Sequence, residues 1–107
     1  MSKYNNIKCG KYDSRKESRR ADELKLLQKN GIISGLEEQV RYQLVPSQKG
    51  EDGKVIERAV CYVADFQYLR IYDNQLVVED TKGVRTKDYI IKRKLMLYVH
   101  GIRIKEV

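Results

Sequence analysis

Three residues in the second half of the sequence have types and spacing suited to work on a phosphodiester: Asp65, Asp80 and Lys82. Asp65 lies between Ala64 and Phe66 in the most apolar stretch of the chain. A carboxylate there costs stability unless it is paired or binds a metal. A two-residue turn at Asp73-Asn74 places Asp65 opposite Lys82 and Gln67 opposite Asp80. All four side chains then share one face of a hairpin. A slip of one residue would send the two strands' side chains to opposite faces. Hard carboxylate oxygens suit Mg²⁺ (or Mn²⁺), and Mg²⁺ tolerates one or two protein carboxylates while keeping its waters. Such a metal polarises a phosphate and lowers the pKa of bound water. Lys82 would place positive charge on the transition state or position the attacking water. Glu17 could add a carboxylate from the first helix.

The elements that must position these groups follow from periodicity. Ser14-Arg15-Lys16-Glu17 has capping-box spacing and Gly31 is a helix C-terminal signal, so a helix is expected over 14–30. Glu17, Ala21 and Leu24 form its apolar stripe. Short strand patterns cover 32–36 and 39–45, the latter alternating through Val40, Tyr42 and Leu44. Pro46 ends it, and 47–54 reads as a loop or hairpin tip. A long β-rich run covers 55–72, and a returning strand covers 75–80. Thr86 caps a second helix to about Val99, ended by Gly101, and a final strand covers 102–107. The order is helix, antiparallel strands, helix, strand: an α/β (α+β) chain without a glycine-rich nucleotide-binding loop, so no nucleotide cofactor is expected.

Length and charge bound the rest. One domain, 1–107, is the size of a single core, with 1–13 a basic N-terminal segment. The chain is 41% hydrophobic and 35% charged, as expected of a folded globular protein. The longest apolar run, Ala59–Ala64, is too short to span a membrane, and the start of the chain lacks a signal peptide's apolar stretch. Cys9 and Cys61 are the only cysteines, which fits free thiols in a reducing cytoplasm. Residues 1–20 carry a net charge of +5 and 82–107 a net of +6, whereas 21–81 carry −4. Basic ends around an acidic centre fit a polyanion partner, DNA. Arg15, Lys16, Arg19 and Arg20 on the first helix oppose its dipole, so stability does not explain them. Lys87, Lys92, Arg93 and Lys94 on the second helix are the other candidates for gripping phosphates.

Four blocks taken in order carry a family resemblance: Tyr12-Asp13-Ser14-Arg15-Lys16-Glu17, Leu36-Glu37-Glu38-Gln39, Val63-Ala64-Asp65-Phe66, and Val78-Glu79-Asp80-Thr81-Lys82-Gly83. Together they resemble small phage and prophage proteins related to Holliday-junction-resolvase-like nucleases of the PD-(D/E)XK kind. Ala64-Asp65 stands for the Pro-Asp and Asp80-Thr81-Lys82 for the (D/E)XK, across roughly residues 10–105. The resemblance implies a restriction-endonuclease-like αβββαβ core, a central mixed sheet flanked by helices. It implies metal ligation by Asp65, Asp80 and the Thr81 carbonyl, with Lys82 and Glu17 as further catalytic residues. It also implies an intracellular phage or prophage endonuclease acting on DNA. Symmetric cutting of a four-way junction needs two active sites, so a homodimer is expected. Glu79 competes with Asp80 for the role, but alternation puts Glu79 on the face opposite Lys82.

Other residues read differently. His100, in the last turn of the second helix, fits a cap or dipole interaction, and a lone His does not make a zinc site. Gln39 recurs in the resemblance without a mechanism of its own. A non-cutting DNA- or partner-binding module on the same fold is the alternative to an endonuclease. An RNA-binding protein ranks last, for want of an RNA-recognition motif.

Overall fold

The computed structural model describes residues 14–107; the basic segment 1–13, including Cys9, lies outside the described residues. Helix α1 (Arg15–Lys29) begins where expected, with the Ser14 side chain accepting from the Glu17 backbone N–H at 3.1 Å. It closes with Gly31 N–H on the Gln28 carbonyl and Ile32 N–H on the Leu27 carbonyl. Gly31 is in the left-handed region, φ +75°, a geometry glycine adopts without penalty. Strand β1 (Ile33–Val45) is continuous where the alternation predicted two pieces. The periodicity broke because the strand is irregular there: its pairing register shifts between Ser34 and Glu37, and Gly35 and Gln39 have positive φ.

The stretch 47–54, expected as a loop or hairpin tip, holds the first strand and the tip of a small exposed hairpin, β2 (Gln48–Lys49) with β3 (Val55–Glu57). The long run over 55–72 therefore divides into β3 and β4 (Val60–Arg70). Strand β5 (Gln75–Asp80) occupies the expected residues. Helix α2 (Lys87–His100) is capped by the Thr86 side chain, which accepts from Tyr89 N–H, and ends at Gly101, φ +68°. The final strand, expected over 102–107, is only β6 (Lys105–Glu106). Among the described residues no helix is long and apolar enough to cross a membrane.

The chain is an α+β protein with two helices and a central mixed sheet, ordered β1-β4-β5-β6. The first three strands are antiparallel, and β6 runs parallel to β5. The β4–β5 hairpin differs from the two-residue turn expected from the sequence. Arg70 pairs with Gln75 and Phe66 with Glu79, so four residues, 71–74, make the connection. Gln67 consequently sits opposite Val78 rather than Asp80, and the ladder ends at Phe66–Glu79, one step short of Asp65 and Asp80. The displacement is an even number of residues, so facing within the paired segments is as expected.

Two apolar clusters hold the elements. Ala21 and Leu24 of α1 pack with Ile33, Phe66, Tyr68 and Val77. Tyr89 and Met96 of α2 pack with Leu44, Tyr62, Ala64, Val78 and Ile104. Strand β5 contributes Val77 to the first cluster and Val78 to the second, which makes it the element buried from both sides. His100 ties α2 to β1, its Nε2 lying 2.7 Å from the Gln43 carbonyl with its ring tilted against Tyr42.

Glu79 is fully buried, yet it has three donors. Arg20 Nε and Nη2 reach its two oxygens at 2.8 and 2.7 Å, and the Tyr68 hydroxyl donates to Oε2. The Arg20 pKa is raised, first by hydrogen bonding to Glu79, and the Tyr68 pKa is raised by burial and the same carboxylate. Removing one partner of a buried pair leaves an uncompensated charge, whereas replacing both is far better tolerated. Arg20→Ala should therefore cost about 3–5 kcal/mol in urea unfolding, and Arg20→Leu combined with Glu79→Met should recover most of that loss. Equal destabilisation by the single and double variants would show that the pair is not what holds α1 to β5.

Candidate active site at the end of β5

Beyond Phe66 and Glu79 the β4–β5 ladder ends, and the side chains around the break converge. Thr81 donates to Asp65 Oδ2 twice, from its backbone N–H at 2.8 Å and its hydroxyl at 2.7 Å. These bonds fix the Asp65 carboxylate against the residue that follows β5. Asp80 is buried to 1% exposure, and its Oδ2 accepts from the Tyr62 hydroxyl. Its other oxygen, Oδ1, accepts no hydrogen bond among the described residues. The Lys82 ammonium lies 3.4 Å from that Oδ1 and 5.0 Å from the centre of the Tyr89 ring. Lys82 is thus held between a carboxylate and an aromatic face.

Burial is the main reason the Asp80 carboxyl is pushed up to about 6, with the nearby Asp65 charge adding to it. The Tyr62 hydroxyl and Lys82 pull the other way. Tyr62 is itself held well above the usual phenol range, first by burial and then by its bond to Asp80. It therefore remains protonated and donates. Tyr62 was not singled out in the sequence. It reads there as one more apolar-face residue of an alternating strand, and its contact with Asp80 forms beyond the last β4–β5 pair.

Glu17 is buried on the first turn of α1. Its Oε2 accepts from Gln39 Nε2 at 2.9 Å. Gln39 lies between the pairs Glu38–Phe66 and Val40–Ala64, in line with Asp65. It has φ +56° inside a strand, a conformation that costs a non-glycine residue energy and is kept where the surroundings demand it. Its sequence signal was only its recurrence in the resemblance. Among the described residues no three Asp, Glu, His or Cys side chains form one cation-holding group, so Glu17, Asp65 and Asp80 do not close into a single set. The donors offered to a divalent cation are Asp65, Asp80 and the backbone at Thr81. Mg²⁺ accepts so few protein ligands, and a buried carboxylate oxygen without a hydrogen bond suits one. The residues fit such an ion.

The basic residues divide into two groups. Arg15, Lys16, Arg19, Lys87 and Lys94 are exposed, and Lys92 is half-buried; none of them forms an ion pair with a described residue. Arg20 is committed to Glu79. Arg93 is committed to Glu106, which also accepts from Arg85 and the Tyr89 hydroxyl. Glu106 is lowered to about 2, first by the Tyr89 bond. Gln67, expected beside the carboxylates, instead accepts from the Tyr42 hydroxyl on β1. Half-buried Cys61 is a free thiol. A cavity of about 410 Å³ is bounded by Arg93, Lys94, Leu97, Arg103, Ile104 and Glu106 and touches none of the convergent residues.

The chain belongs to the DUF1064 family, described as a protein of unknown function, whose sequence model matches residues 1–105. No curated protein and no solved structure matches it.

Two outcomes are expected from the site's geometry. The raised Asp80 pKa means the native state binds its proton more tightly than the unfolded chain does. Without metal, the stability contributed by this group falls as pH rises from about 4 through about 6. At pH 8 in EDTA, Asp80→Asn should be more stable than wild type by on the order of 2 kcal/mol, with the difference gone at pH 4. A gap independent of pH would contradict the assignment. Gln39→Gly relieves the positive φ and should change stability by less than about 1 kcal/mol, whereas Gln39→Val should cost roughly 1–3 kcal/mol. Equal losses in denaturant titrations would show that backbone strain is not the controlling factor.

Proposed function

We propose that this protein is a metal-dependent DNA endonuclease with a restriction-endonuclease-like core, acting on branched DNA of phage or prophage origin. The observation that carries the reading is the convergence of Asp65, Asp80 and Lys82 where β4 and β5 part, with a buried Asp80 oxygen that accepts no hydrogen bond. The order of the elements, helix, three antiparallel sheet strands, helix and parallel strand, supports the same core, with the β2–β3 hairpin as an insertion.

Asp65, Asp80 and the Thr81 carbonyl are the groups that would hold Mg²⁺ or Mn²⁺. When bound, the ion would polarise the scissile phosphate and make water a competent nucleophile at neutral pH. The chain's own residues do the positioning. Thr81 fixes the Asp65 carboxylate, Tyr62 fixes Asp80, and the Tyr89 ring steadies Lys82. The Lys82 ammonium supplies positive charge to a phosphate oxygen as charge develops in the transition state. Glu17, held by Gln39, offers a further carboxylate from α1. Cutting both strands of a four-way junction takes two such sites, hence a homodimer.

A second reading, a DNA-binding module that does not cut, is favoured by one feature: Asp65 Oδ2 is already occupied by two Thr81 donors. One experiment separates the two. A labelled four-way junction, a flap and a linear duplex are incubated with Mg²⁺, Mn²⁺ or EDTA. Cleavage of the junction in metal is expected for wild type. It should drop by more than about 100-fold in Asp80→Asn and by about 10²–10³-fold in Lys82→Ala. Tight binding without cutting, equal in wild type and Asp80→Asn, would establish the second reading instead.

A further inference from the structure

Two cavities flank the segment Asp80-Thr81-Lys82, one against each helix. The cavity beside α1, about 230 Å³, is bounded by Lys16, Arg19, Arg20, Glu23, Thr81 and Val107. The cavity beside α2, about 310 Å³, is bounded by Tyr62, Lys82, Thr86, Asp88, Tyr89 and Lys92, among others. Helix α1 packs on the cluster that includes Val77 and α2 on the cluster that includes Val78, and consecutive side chains of a strand point to opposite faces. The two cavities therefore lie on opposite sides of the end of β5, beside the carboxylate pair.

Their charges differ from those of the surrounding surface in one respect. In the α1 cavity Arg20 is neutralised by Glu79 and, at 3.4 Å, by Glu23. Lys16 and Arg19 remain exposed without an ion-pair partner among the described residues. In the α2 cavity Lys92 likewise has no such partner, and Lys82 faces Asp80. By contrast Arg85 and Arg93 are both spent on Glu106. The cations left uncommitted beside the candidate site are thus sorted into two groups by the end of β5. Asp88 adds one carboxylate to the α2 cavity, and Lys92 is the cation there that Asp80 does not face. Two hollows that each present an uncommitted cation, one on either side of the short segment after β5, fit a single polyanionic strand that crosses the segment.

We propose that one strand of DNA crosses the chain at Thr81, with its phosphates seated on both sides: Lys16 and Arg19 hold it in the α1 cavity, and Lys92 holds it in the α2 cavity. The proposal rests on the endonuclease reading for the meaning of the crossing point, where the strand passes the Asp65–Asp80 pair. It goes further in dividing the phosphate contacts by side and in removing Arg20 and Arg93 from them. Each phosphate neutralised by a cation releases counterions and steepens the salt dependence of binding by roughly one unit.

The test is methylphosphonate interference. Single neutral linkages are placed in turn at each position of one strand of a four-way junction, and binding by the full-length protein is measured in EDTA. Wild type is expected to show two groups of sensitive phosphates separated by a gap. Lys16→Ala combined with Arg19→Ala should abolish one group only, and Lys92→Ala the other only. The salt slope should fall by about 2 and about 1 respectively, and Arg93→Ala should leave both groups in place. These residues lie at the surface, and matching melting temperatures confirm that each variant is folded. Loss of the same group by both variants, one uninterrupted footprint, or no sensitive phosphate at all would overturn the proposal. The unmodified junction with Mg²⁺ is run alongside. A two-sided footprint without cutting overturns the endonuclease reading and leaves the strand path standing, whereas cutting without the two-sided footprint does the reverse.

Discussion

Burying two adjacent carboxylates at the end of one strand is the constraint around which this protein is arranged. Strand β5 ends in Glu79 and Asp80, and neither is reached by solvent to any extent. Ionised groups in such surroundings are costly unless each finds its own compensation. Alternation sends the two to opposite faces, so no single partner can serve both. Glu79 is matched fully, by a two-pronged guanidinium from α1 and a hydroxyl from β4. Asp80 is matched in part, by the Tyr62 hydroxyl and the approach of Lys82.

That asymmetry connects packing to chemistry. The satisfied carboxylate fixes α1 against the sheet, and with it the turn of helix that carries Glu17, Lys16 and Arg19. The half-satisfied one keeps an oxygen in reserve at the point where β4 and β5 separate. Tyr89 serves both sides of this arrangement: its ring packs in the α2 cluster and supports Lys82, while its hydroxyl anchors Glu106 beside the parallel strand. The Val107 N–H on the Asp80 carbonyl holds the end of β5 from the other edge.

Both helices, with their caps and stop signals, were legible in the sequence, because a capping side chain, an apolar stripe and a closing glycine are local features. Strand β5 and the convergence of Asp65, Asp80 and Lys82 were legible from alternation and from the family resemblance. The length of the 71–74 turn was not, since Asp73-Asn74 suits a tight turn and the extra residues are decided by pairing farther down the ladder. The continuity of β1 was hidden by the two residues at which it bends out of regular geometry. Arg20 looked like a phosphate ligand because its burial against Glu79, 59 positions away, leaves no trace in local pattern. Tyr62 and Gln39 acquire their significance from neighbours across the sheet, which a linear reading does not supply.

The four-residue connection between β4 and β5 has a consequence for how such chains can diverge. Because 71–74 lie outside the ladder, a residue gained or lost there changes the loop without moving Arg70 from Gln75 or Phe66 from Glu79, and loop length carries little entropic cost. A residue gained inside either strand, between the loop and the carboxylates, turns every side chain beyond it to the other face unless a bulge absorbs it. Changes of length among descendants of a common ancestor should therefore collect in the loop, while the strands on either side keep theirs.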